Sequence, residues 1–275
     1  MKKIGYLGPP GTFSHEAAKK YIRLTGAGEL VPRPSIPDLM TATDSGVLQE
    51  AILPIENSLE GGVIPTLDMF MEELDVQIRL ELLLPIRENL LVKPGTERGD
   101  IRVVTSHSQP LGQCRKFLQN AFPTAHLEAV GSTAIAAETV QRGDGSVAAI
   151  GGVASAELYG LEILEADIQD EADNVTRFIV IGKEDSPQAR GSKSSLIFGV
   201  SHRPGSLYQI LDIFSIFDIN MTRIESRPAK RTLGEYVFYV DIDGHRDDPD
   251  VADALKMIRR KAVFYKFLGS YGTVT

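Results

Sequence analysis

Short apolar runs alternate with helical patterns along the first two thirds of the chain. The segment "KKIGYLGPPGTFSHEAAKKYIRL" predicts a strand ending at Leu7, a Gly/Pro loop and a helix whose N-cap is Thr12 or Ser14. The segments "IRVVTSHSQPLGQCRKFL", "HLEAVGSTAIAAETV" and "SVAAIGGVASAEL" repeat the order strand, polar turn, helix. This alternation predicts an α/β protein with a parallel sheet and helices on its faces.

Polar turns follow these strands at the positions where open α/β sheets bind ligands, beside the N-termini of helices. "PIENS" places Glu56, Asn57 and Ser58 directly after an apolar run that ends at Ile55. Ser58 alone fits an N-cap, but three consecutive polar side chains exceed what a cap needs. We therefore expect Asn57 to hydrogen-bond a ligand and Glu56 to orient its neighbours.

The turn "SHSQPLGQC" carries further polar candidates. Ser106 is expected to cap the next helix or contact a ligand, and Gln113 to reach inward or lie in solvent. His107 lacks the spacing of a catalytic triad and is left out of the catalytic set. Cys114 lies on an apolar helical face and is predicted to be a core residue.

The segment "NVTRF" precedes the apolar run "IVIGK". If a strand begins there, Thr176 and Arg177 point to opposite faces of it. Two interpretations stay open from these residues alone. One is an edge strand with a solvated arginine and a β-favouring threonine, and the other is a pair of which one member faces a ligand.

The last third of the chain has a different pattern. Residues 184–194, "EDSPQARGSKS", are rich in Ser, Pro, Gly and charge without apolar periodicity, and they predict an interdomain linker. The sequence beyond them reads as strand, helix, strand, strand, helix, strand. This βαββαβ order predicts a ferredoxin-like α/β sandwich.

Composition narrows the class of protein. The 275 residues are 43% hydrophobic with a formal net charge of -8, which argues against a nucleic-acid or anionic-membrane surface. One cysteine excludes an intrachain disulfide framework, and the five histidines lack metal-ligand spacing. No secretory signal or membrane-spanning run is apparent. We expect a cytoplasmic protein without a metal.

Eight motifs in chain order resemble the prephenate dehydratase family in its monofunctional form. They are "GPPGTFSH", "PIENS", "SHSQPLGQC", "GSTAIAA", "AAIGGVASAELYGL", "NVTRF", "RPGSL" and "ESRP". The resemblance covers nearly the whole chain. Because the sequence starts directly before its first strand, we expect no N-terminal chorismate mutase helices of the kind that fused members carry.

The resemblance implies a periplasmic-binding-protein-like (type II) catalytic region of two α/β subdomains with the active site in the cleft between them. The catalytic region is expected at residues 1–183, with subdomains of about 1–85 plus 174–183 and of 86–173. A linker at 184–194 and an ACT regulatory domain at 195–275 are expected to follow it.

The implied activity is the decarboxylating dehydration of prephenate to phenylpyruvate, water and CO2 in L-phenylalanine biosynthesis. No cofactor is implied. By the pattern of the family, Thr176 is the catalytic residue and donates to the departing hydroxyl group. The expected substrate-binding residues are Thr12, Glu56, Asn57, Ser58, Ser106, Gln113 and Arg177.

In this family the ACT domain binds L-phenylalanine at a subunit interface and inhibits the enzyme, so a homodimer or homotetramer is implied. The matching effector positions are Gly205, Ser206, Leu207, Glu225, Ser226, Arg227 and Pro228. Ser206 departs from the usual alanine, and Ser108 replaces the usual proline after the histidine. The first change adds a hydroxyl near the effector site.

Two alternatives remain at the level of the sequence. A two-lobed binding module with an ACT sensor would close on a ligand without turnover. An arogenate dehydratase would perform the same elimination on a substrate with an amino group in place of the keto group. Turnover of the two substrates distinguishes these possibilities.

Overall fold

The structure is a computed structural model that describes residues 1–26, 28–184, 186–188, 191–229 and 236–274. Parts of the expected linker (184–194) and of the expected ACT domain (195–275), and one residue of the expected catalytic region, therefore lie outside the described residues. The predicted domain boundaries stay a prediction.

The secondary structure follows the predicted alternation. The strands are β1 (Lys3–Leu7), β2 (Glu29–Arg33), β3 (Glu50–Asn57), β4 (Gly61–Gly62), β5 (Gln77–Pro85), β6 (Asn89–Val92), β7 (Val103–Ser106), β8 (His126–Ala129), β9 (Val147–Gly151), β10 (Glu162–Glu165), β11 (Val175–Gly182), β12 (Lys193–Gly199), β13 (Met221–Pro228), β14 (Tyr236–Asp243) and β15 (Phe264–Val274). The α-helices are α1 (Phe13–Thr25), α2 (Ile36–Asp44), α3 (Ile64–Phe70), α4 (Ser108–Gln113), α5 (Arg115–Ala121), α6 (Thr133–Arg142), α7 (Val153–Tyr159), α8 (Ser206–Ile216) and α9 (Pro249–Lys261).

These elements form two compact units. Unit 1 consists of Met1–Ser35, Asn57–Gly61 and Leu84–Thr176, and unit 2 consists of Ile36–Glu56, Gly62–Leu83 and Arg177–Thr275. Two chain crossings between the units fall inside the "PIENS" and "NVTRF" motifs. Asn57 and Thr176 belong to unit 1, and their chain neighbours Glu56 and Arg177 belong to unit 2.

Unit 1 contains a five-stranded sheet in the order β10-β6-β9-β7-β8. Strand β7 is parallel to β8 and to β9, and β6 is antiparallel to β9 and to β10. The predicted parallel arrangement is therefore confirmed for the three strands of the strand-helix repeat, whereas β6 runs antiparallel to its neighbours. Because β6 precedes the first repeat of this segment, the alternation that predicts parallel strands does not include it.

Helices cover both faces of this sheet. Leu90 and Val92 of β6 face a core that includes Cys114 and Leu118, whereas Leu91 faces a second core with residues of α6. Successive strand residues point to opposite faces, so a continuous apolar run is typical of a strand buried on both sides. Cys114 is fully buried, and its predicted core role is confirmed.

In unit 2 the elements β12, α8, β13, β14, α9 and β15 follow one another in the predicted βαββαβ order. The strands pair antiparallel in the order β13-β14-β12-β15. Both helices pack on one apolar face of this sheet through Phe198, Val240, Ile213 and Ile258. The ferredoxin-like prediction is confirmed.

The same sheet continues beyond the ferredoxin-like strands through β5, β11 and β3. Strand β15 is parallel to β5, with Gly272 opposite Leu80 and Val274 opposite Leu82. Gly269 makes the approach of the two strands possible, because a Cβ there would lie 2.3 Å from the carbonyl oxygen of Ile78. Unit 2 thus joins strands from the first third and the last third of the chain in one sheet.

Candidate functional site

A hydrogen-bonded cluster of side chains lies in unit 1, and its centre is Asn57. Its Nδ2 donates to Asn174 Oδ1 at 2.8 Å and to Thr176 Oγ1 at 2.9 Å. Its Oδ1 accepts from the backbone N–H groups of Leu59 and Glu60 at 2.9 and 3.1 Å. Every hydrogen-bonding position of this amide is therefore used, which fixes the orientation of a side chain only 7% exposed.

The contact with Asn57 also orients Thr176. The Thr176 oxygen accepts from the amide, so the hydroxyl proton is left to donate elsewhere, and it has no acceptor among the described residues. An N–H group directed at the oxygen stabilises negative charge that develops there when the proton leaves. The role of Thr176 as a positioned donor, which the resemblance to the family implies, stays a prediction that this geometry allows.

Asn174 extends the cluster to Gln113. Asn174 is 1% exposed, and its Nδ2 donates to Gln113 Oε1 at 3.0 Å. The opposite atom, Gln113 Nε2, is buried and has no hydrogen-bond partner among the described residues. A buried donor without a partner carries a free-energy penalty that a bound acceptor removes, so Gln113 offers a second directed donor.

Sequence reasoning missed Asn174 as a functional residue. It is the first residue of the "NVTRF" motif, but its role depends on partners 117 and 61 positions away in the chain. An asparagine immediately before an apolar strand is the local signal that points to it.

Two further predicted residues, Thr12 and Ser106, use their hydroxyl groups in hydrogen bonds within the protein. The hydroxyl of Thr12 donates to the carbonyl oxygens of Leu7 and Pro9 and accepts from the N–H of His15, which confirms Thr12 as the N-cap of α1. Ser106 is buried and donates to the Ile150 carbonyl at 2.8 Å. The cap of α4 is His107 instead, so the predicted cap role of Ser106 is wrong.

Ser58 does not cap α3 either, because that helix begins at Ile64 with Val63 at the N-cap position. Its Oγ accepts from the N–H of Val175 at 3.0 Å and donates to the carbonyl of Asp173 at 3.3 Å. Ser58 therefore joins the "PIENS" turn to the start of β11 and supports the Asn57–Thr176 contact.

Arg177 lies in unit 2 and is 8% exposed. Its guanidinium nitrogens meet Glu81, Asp241 at 2.6 Å, Glu56 at 3.3 Å and the Tyr271 hydroxyl at 2.9 Å. Burial by itself would lower the pKa of Arg177, but Asp241, Tyr271 and Glu81 outweigh it and raise that pKa above its usual value. The edge-strand interpretation with a solvated arginine is wrong, because β11 lies between β5 and β3.

The seven predicted effector positions lie on two elements of unit 2. Gly205 precedes α8 with φ +79°, Ser206 Oγ lies 3.1 Å from Ser201 Oγ, and Leu207 packs against the apolar core. On β13, Glu225 and Arg227 are half-buried and alternate with exposed Ser226 and Pro228. Arg227 contacts Asp68 at 3.6 Å.

A cavity of about 470 Å3 lies next to these elements in unit 2. Its lining includes Ser201 and His202, which precede the "RPGSL" turn, and Ala229, which follows "ESRP". Among the described residues, the predicted effector positions flank this cavity and do not line it. Metal-ligating side chains do not cluster in threes or more in the described ranges, and no helix within them is long and apolar enough to span a membrane.

Glu88, which precedes β6 in unit 1, is a buried acid that belongs to none of the sequence motifs. Its side chain is 1% exposed, and Oε2 has no hydrogen-bond partner within the described chain. Burial, and after it the carboxylate of Glu16, raises the pKa of Glu88 to about 8. The carboxyl is therefore protonated in the folded protein at neutral pH.

We predict that Glu88→Gln flattens the dependence of stability on pH. Because the unfolded carboxyl ionises near 4.5, the stabilisation from protonated Glu88 is fully present below that pH and is lost as the pH rises to about 8. The glutamine is neutral throughout, so the wild type should lose up to about 1.4 kcal/mol more per pH unit. Urea unfolding across this range measures the difference, with exposed Glu128→Gln as the control. Parallel curves for wild type and Glu88→Gln would contradict the prediction.

Comparisons with known proteins agree with the sequence motifs. The sequence model of the prephenate dehydratase family matches residues 4–186, and that of the ACT domain matches residues 194–259. The chain is 39% identical to a bifunctional chorismate mutase/prephenate dehydratase of Aquifex aeolicus, over 98% of this chain and 73% of that protein. It is 38% identical to a prephenate dehydratase of Mycobacteroides abscessus, over 98% of this chain and 90% of that protein.

The fold is also similar to that of a solved structure. A crystal structure of prephenate dehydratase from Arthrobacter aurescens in complex with L-Phe superposes with a TM-score of 0.90 at 35% sequence identity. The superposition covers 98% of this chain and 90% of that chain. The similarity therefore extends over the catalytic and the ferredoxin-like parts together.

Proposed function

Because the chain belongs to the prephenate dehydratase family and carries a C-terminal ACT domain, we propose that it converts prephenate to phenylpyruvate, water and CO2 through Thr176. The observation that supports this assignment is the 2.9 Å hydrogen bond from Asn57 Nδ2 to Thr176 Oγ1. It directs the threonine proton away from Asn57 and toward a ligand.

The reaction removes a carboxylate as CO2 from one ring carbon and the hydroxyl group from the opposite carbon, and the ring becomes aromatic. Much of the driving force therefore lies in the substrate. The protein has to hold a dianion in place and supply a proton or a strong hydrogen bond to the departing hydroxyl. Thr176 supplies that hydrogen bond as the C–O bond breaks.

A threonine hydroxyl is a weak acid, so its proton moves only in concert with C–O cleavage. Asn57 assists this step, because its amide N–H stabilises charge on Thr176 Oγ1 while the proton is displaced. The backbone N–H groups of Leu59 and Glu60 hold the amide in place, so it does not have to reorganise during the reaction.

The remaining site residues are proposed to bind and orient prephenate. Gln113 uses its unpartnered Nε2 to donate to a substrate oxygen. The first turn of α1, capped by Thr12, presents backbone N–H groups suited to a carboxylate. Ser106, whose proton is bound to Ile150, is left to accept rather than donate. Glu56, Ser58 and Arg177 are also proposed to belong to the substrate site, and they act mainly by holding the "PIENS" and "NVTRF" segments in place.

Positive charge near the carboxylate that leaves as CO2 would stabilise the ground state and oppose decarboxylation. The cluster of Asn57, Asn174, Gln113 and Thr176 consists of neutral donors, whereas the charged Arg177 is paired with Glu81 and Asp241. Neutral side chains in this position fit a reaction in which a substrate carboxylate loses its charge.

Regulation by L-phenylalanine is proposed for the ACT domain at Gly205, Ser206, Leu207, Glu225, Ser226, Arg227 and Pro228. Support comes from the match of the ACT model to residues 194–259 and from the L-Phe bound by the Arthrobacter aurescens protein. A cytoplasmic location and a homodimer or homotetramer complete the proposal, with neither nucleic acid nor membrane as a partner.

The experiment that tests this function is an assay of phenylpyruvate formation from prephenate with and without L-phenylalanine. We expect turnover that L-phenylalanine lowers. Arogenate is assayed in parallel. Faster turnover of arogenate than of prephenate would show that arogenate is the substrate. Binding of prephenate without turnover of either compound would show a binding module and overturn the assignment.

We predict that Asn174→Ala lowers kcat/KM for prephenate by about tenfold to a hundredfold, because it leaves Asn57 and Gln113 each without a buried partner. Asn174→Asp separates the two contacts, since it keeps the acceptor for Asn57 and loses the donor to Gln113. Steady-state kinetics at matched thermal stability measures both variants. Wild-type kcat/KM in Asn174→Ala would show that the cluster does not support the reaction.

A further inference from the structure

Arg223 on β13 lies between two carboxylates of unit 2. Its side chain is 9% exposed, with Nη2 at 2.5 Å from Glu225 Oε2 and Nε at 3.5 Å from Glu56 Oε1. One carboxylate belongs to the proposed effector motif "ESRP" and the other to "PIENS". A guanidinium can bind a carboxylate at more than one edge, so Arg223 bridges two segments that are far apart in the sequence.

The chain is shaped to admit this arrangement. A Cβ at Gly62 would lie 2.3 Å from Glu225 Oε2, so glycine leaves room for the Glu225 carboxylate in this position and a larger residue would make that side chain move. The nearby side chains of β13 and β14 contact α3, through Arg227 with Asp68 and through the Tyr239 hydroxyl with the Leu67 carbonyl. The Glu225 side chain thus lies on the side of β13 that faces α3 and the segment after "PIENS".

Glu56 has a second arginine partner, because Arg177 Nη1 lies 3.3 Å from its Oε2. Glu56 and Arg177 are the chain neighbours of Asn57 and Thr176, whose side chains form the 2.9 Å hydrogen bond of the candidate site. The ion pairs of Glu56 are therefore made by the residue that is bonded directly to Asn57.

We propose that Arg223 is a positioning residue. It makes the placement of the Glu56 side chain depend on whether an effector is bound to the Glu225 carboxylate. The inference rests on the proposed regulation by an amino acid. The ammonium group of such an effector pairs with Glu225 and competes with Arg223 for it. Arg223, released from Glu225, interacts more strongly with Glu56 and weakens the hold of Arg177 on that carboxylate.

Competition for Glu225 has a consequence that a merely structural arginine would not have. Removing Arg223 frees the Glu225 carboxylate, so L-phenylalanine should bind more tightly to the variant while its effect on turnover disappears. A loss of fold at β13 would instead weaken effector binding together with its effect on turnover. The two roles therefore predict opposite changes in effector affinity.

The test uses the full chain with Arg223→Met, Arg223→Lys and, as a matched control, exposed Arg260→Met. In wild type and control, saturating L-phenylalanine should lower kcat/KM for prephenate by about 5- to 150-fold, the usual range of allosteric coupling. In Arg223→Met we expect a change within about twofold and a lower Kd for L-phenylalanine by calorimetry. Arg223→Lys keeps one positive charge and should restore part of the coupling.

Wild-type coupling in Arg223→Met, or weaker effector binding in Arg223→Met and Arg223→Lys together, would overturn the inference. Separate kcat and KM values show whether Glu56 acts on binding or on the chemical step. A wild type that turns over prephenate without responding to L-phenylalanine overturns the inference and leaves the reaction standing. If the wild type shows no turnover, the proposed reaction is overturned. The inference then stands if Arg223→Met binds L-phenylalanine more tightly than the wild type, and falls if it does not.

Discussion

Thr176→Val should lower kcat for prephenate by about a hundredfold to ten-thousandfold, the usual contribution of a positioned proton donor. Valine keeps the branched shape of threonine and its preference for a strand, so β11 should be preserved. The variant removes the hydroxyl that Asn57 orients at 2.9 Å and leaves the amide without that acceptor. The fall should therefore appear mainly in kcat and less in KM.

Two further variants separate chemistry from structure. Thr176→Ser keeps the hydroxyl and should retain much more activity than Thr176→Val, whereas Thr176→Ala should resemble valine. Thr139→Val is the matched control, because the hydroxyl of exposed Thr139 donates to a helix carbonyl in the same unit. Near-wild-type kcat in both Thr176→Val and Thr176→Ala would exclude the threonine as the proton donor.

Arg177→Met should lower the free energy of unfolding by about 3 to 5 kcal/mol, because it leaves buried carboxylates without their counter-charge. Glu81 is fully buried and Asp241 is 4% exposed. Lys193 lies 2.9 Å from Glu81 and compensates one of them in part, but Asp241 would keep only the hydroxyl of Ser195 among the side chains that the structure describes. Urea or thermal unfolding measures the loss.

Arg142→Met provides the comparison for Arg177→Met. Arg142 pairs with Glu138 on the exposed face of α6, where an (i, i+4) ion pair contributes about 0.3 to 0.5 kcal/mol. Arg177→Lys retains the charge but not the fork that meets several partners at once, so it should fall between wild type and methionine. An unchanged free energy of unfolding in Arg177→Met, with a raised KM for prephenate, would instead assign the arginine to substrate binding.

Local features of the fold follow from the sequence because they depend on neighbours in the chain. Thr12 caps α1 and Ser132 caps α6, since each hydroxyl accepts from an N–H three residues later. The ferredoxin-like order follows from apolar periodicity and from turns. The hydroxyl and the N–H group of each cap belong to one short segment, so neighbouring residues are enough to predict the cap.

The candidate site was predictable only in part, for the same physical reason. Asn57 and Thr176 stand out as polar residues beside buried strands, but their hydrogen bond joins positions 119 residues apart. Ser58 and Ser106 look like caps in isolation, and their true partners belong to other strands. The surroundings of Arg177 could not be inferred at all, because Asp241 and Tyr271 are 64 and 94 residues away.

The pairing of β15 with β5 limits how this enzyme could lose the proposed regulation. Strand β15 lies after the residues that match the ACT model. It is nevertheless the strand that pairs with β5, which lies within the match of the prephenate dehydratase model. A truncation in the linker would strip β5 of that neighbour and expose an unpaired, largely apolar edge, which promotes aggregation. We therefore expect release from the proposed feedback to come from single substitutions, because deletion of the segment that contains β15 would lower the solubility of the enzyme.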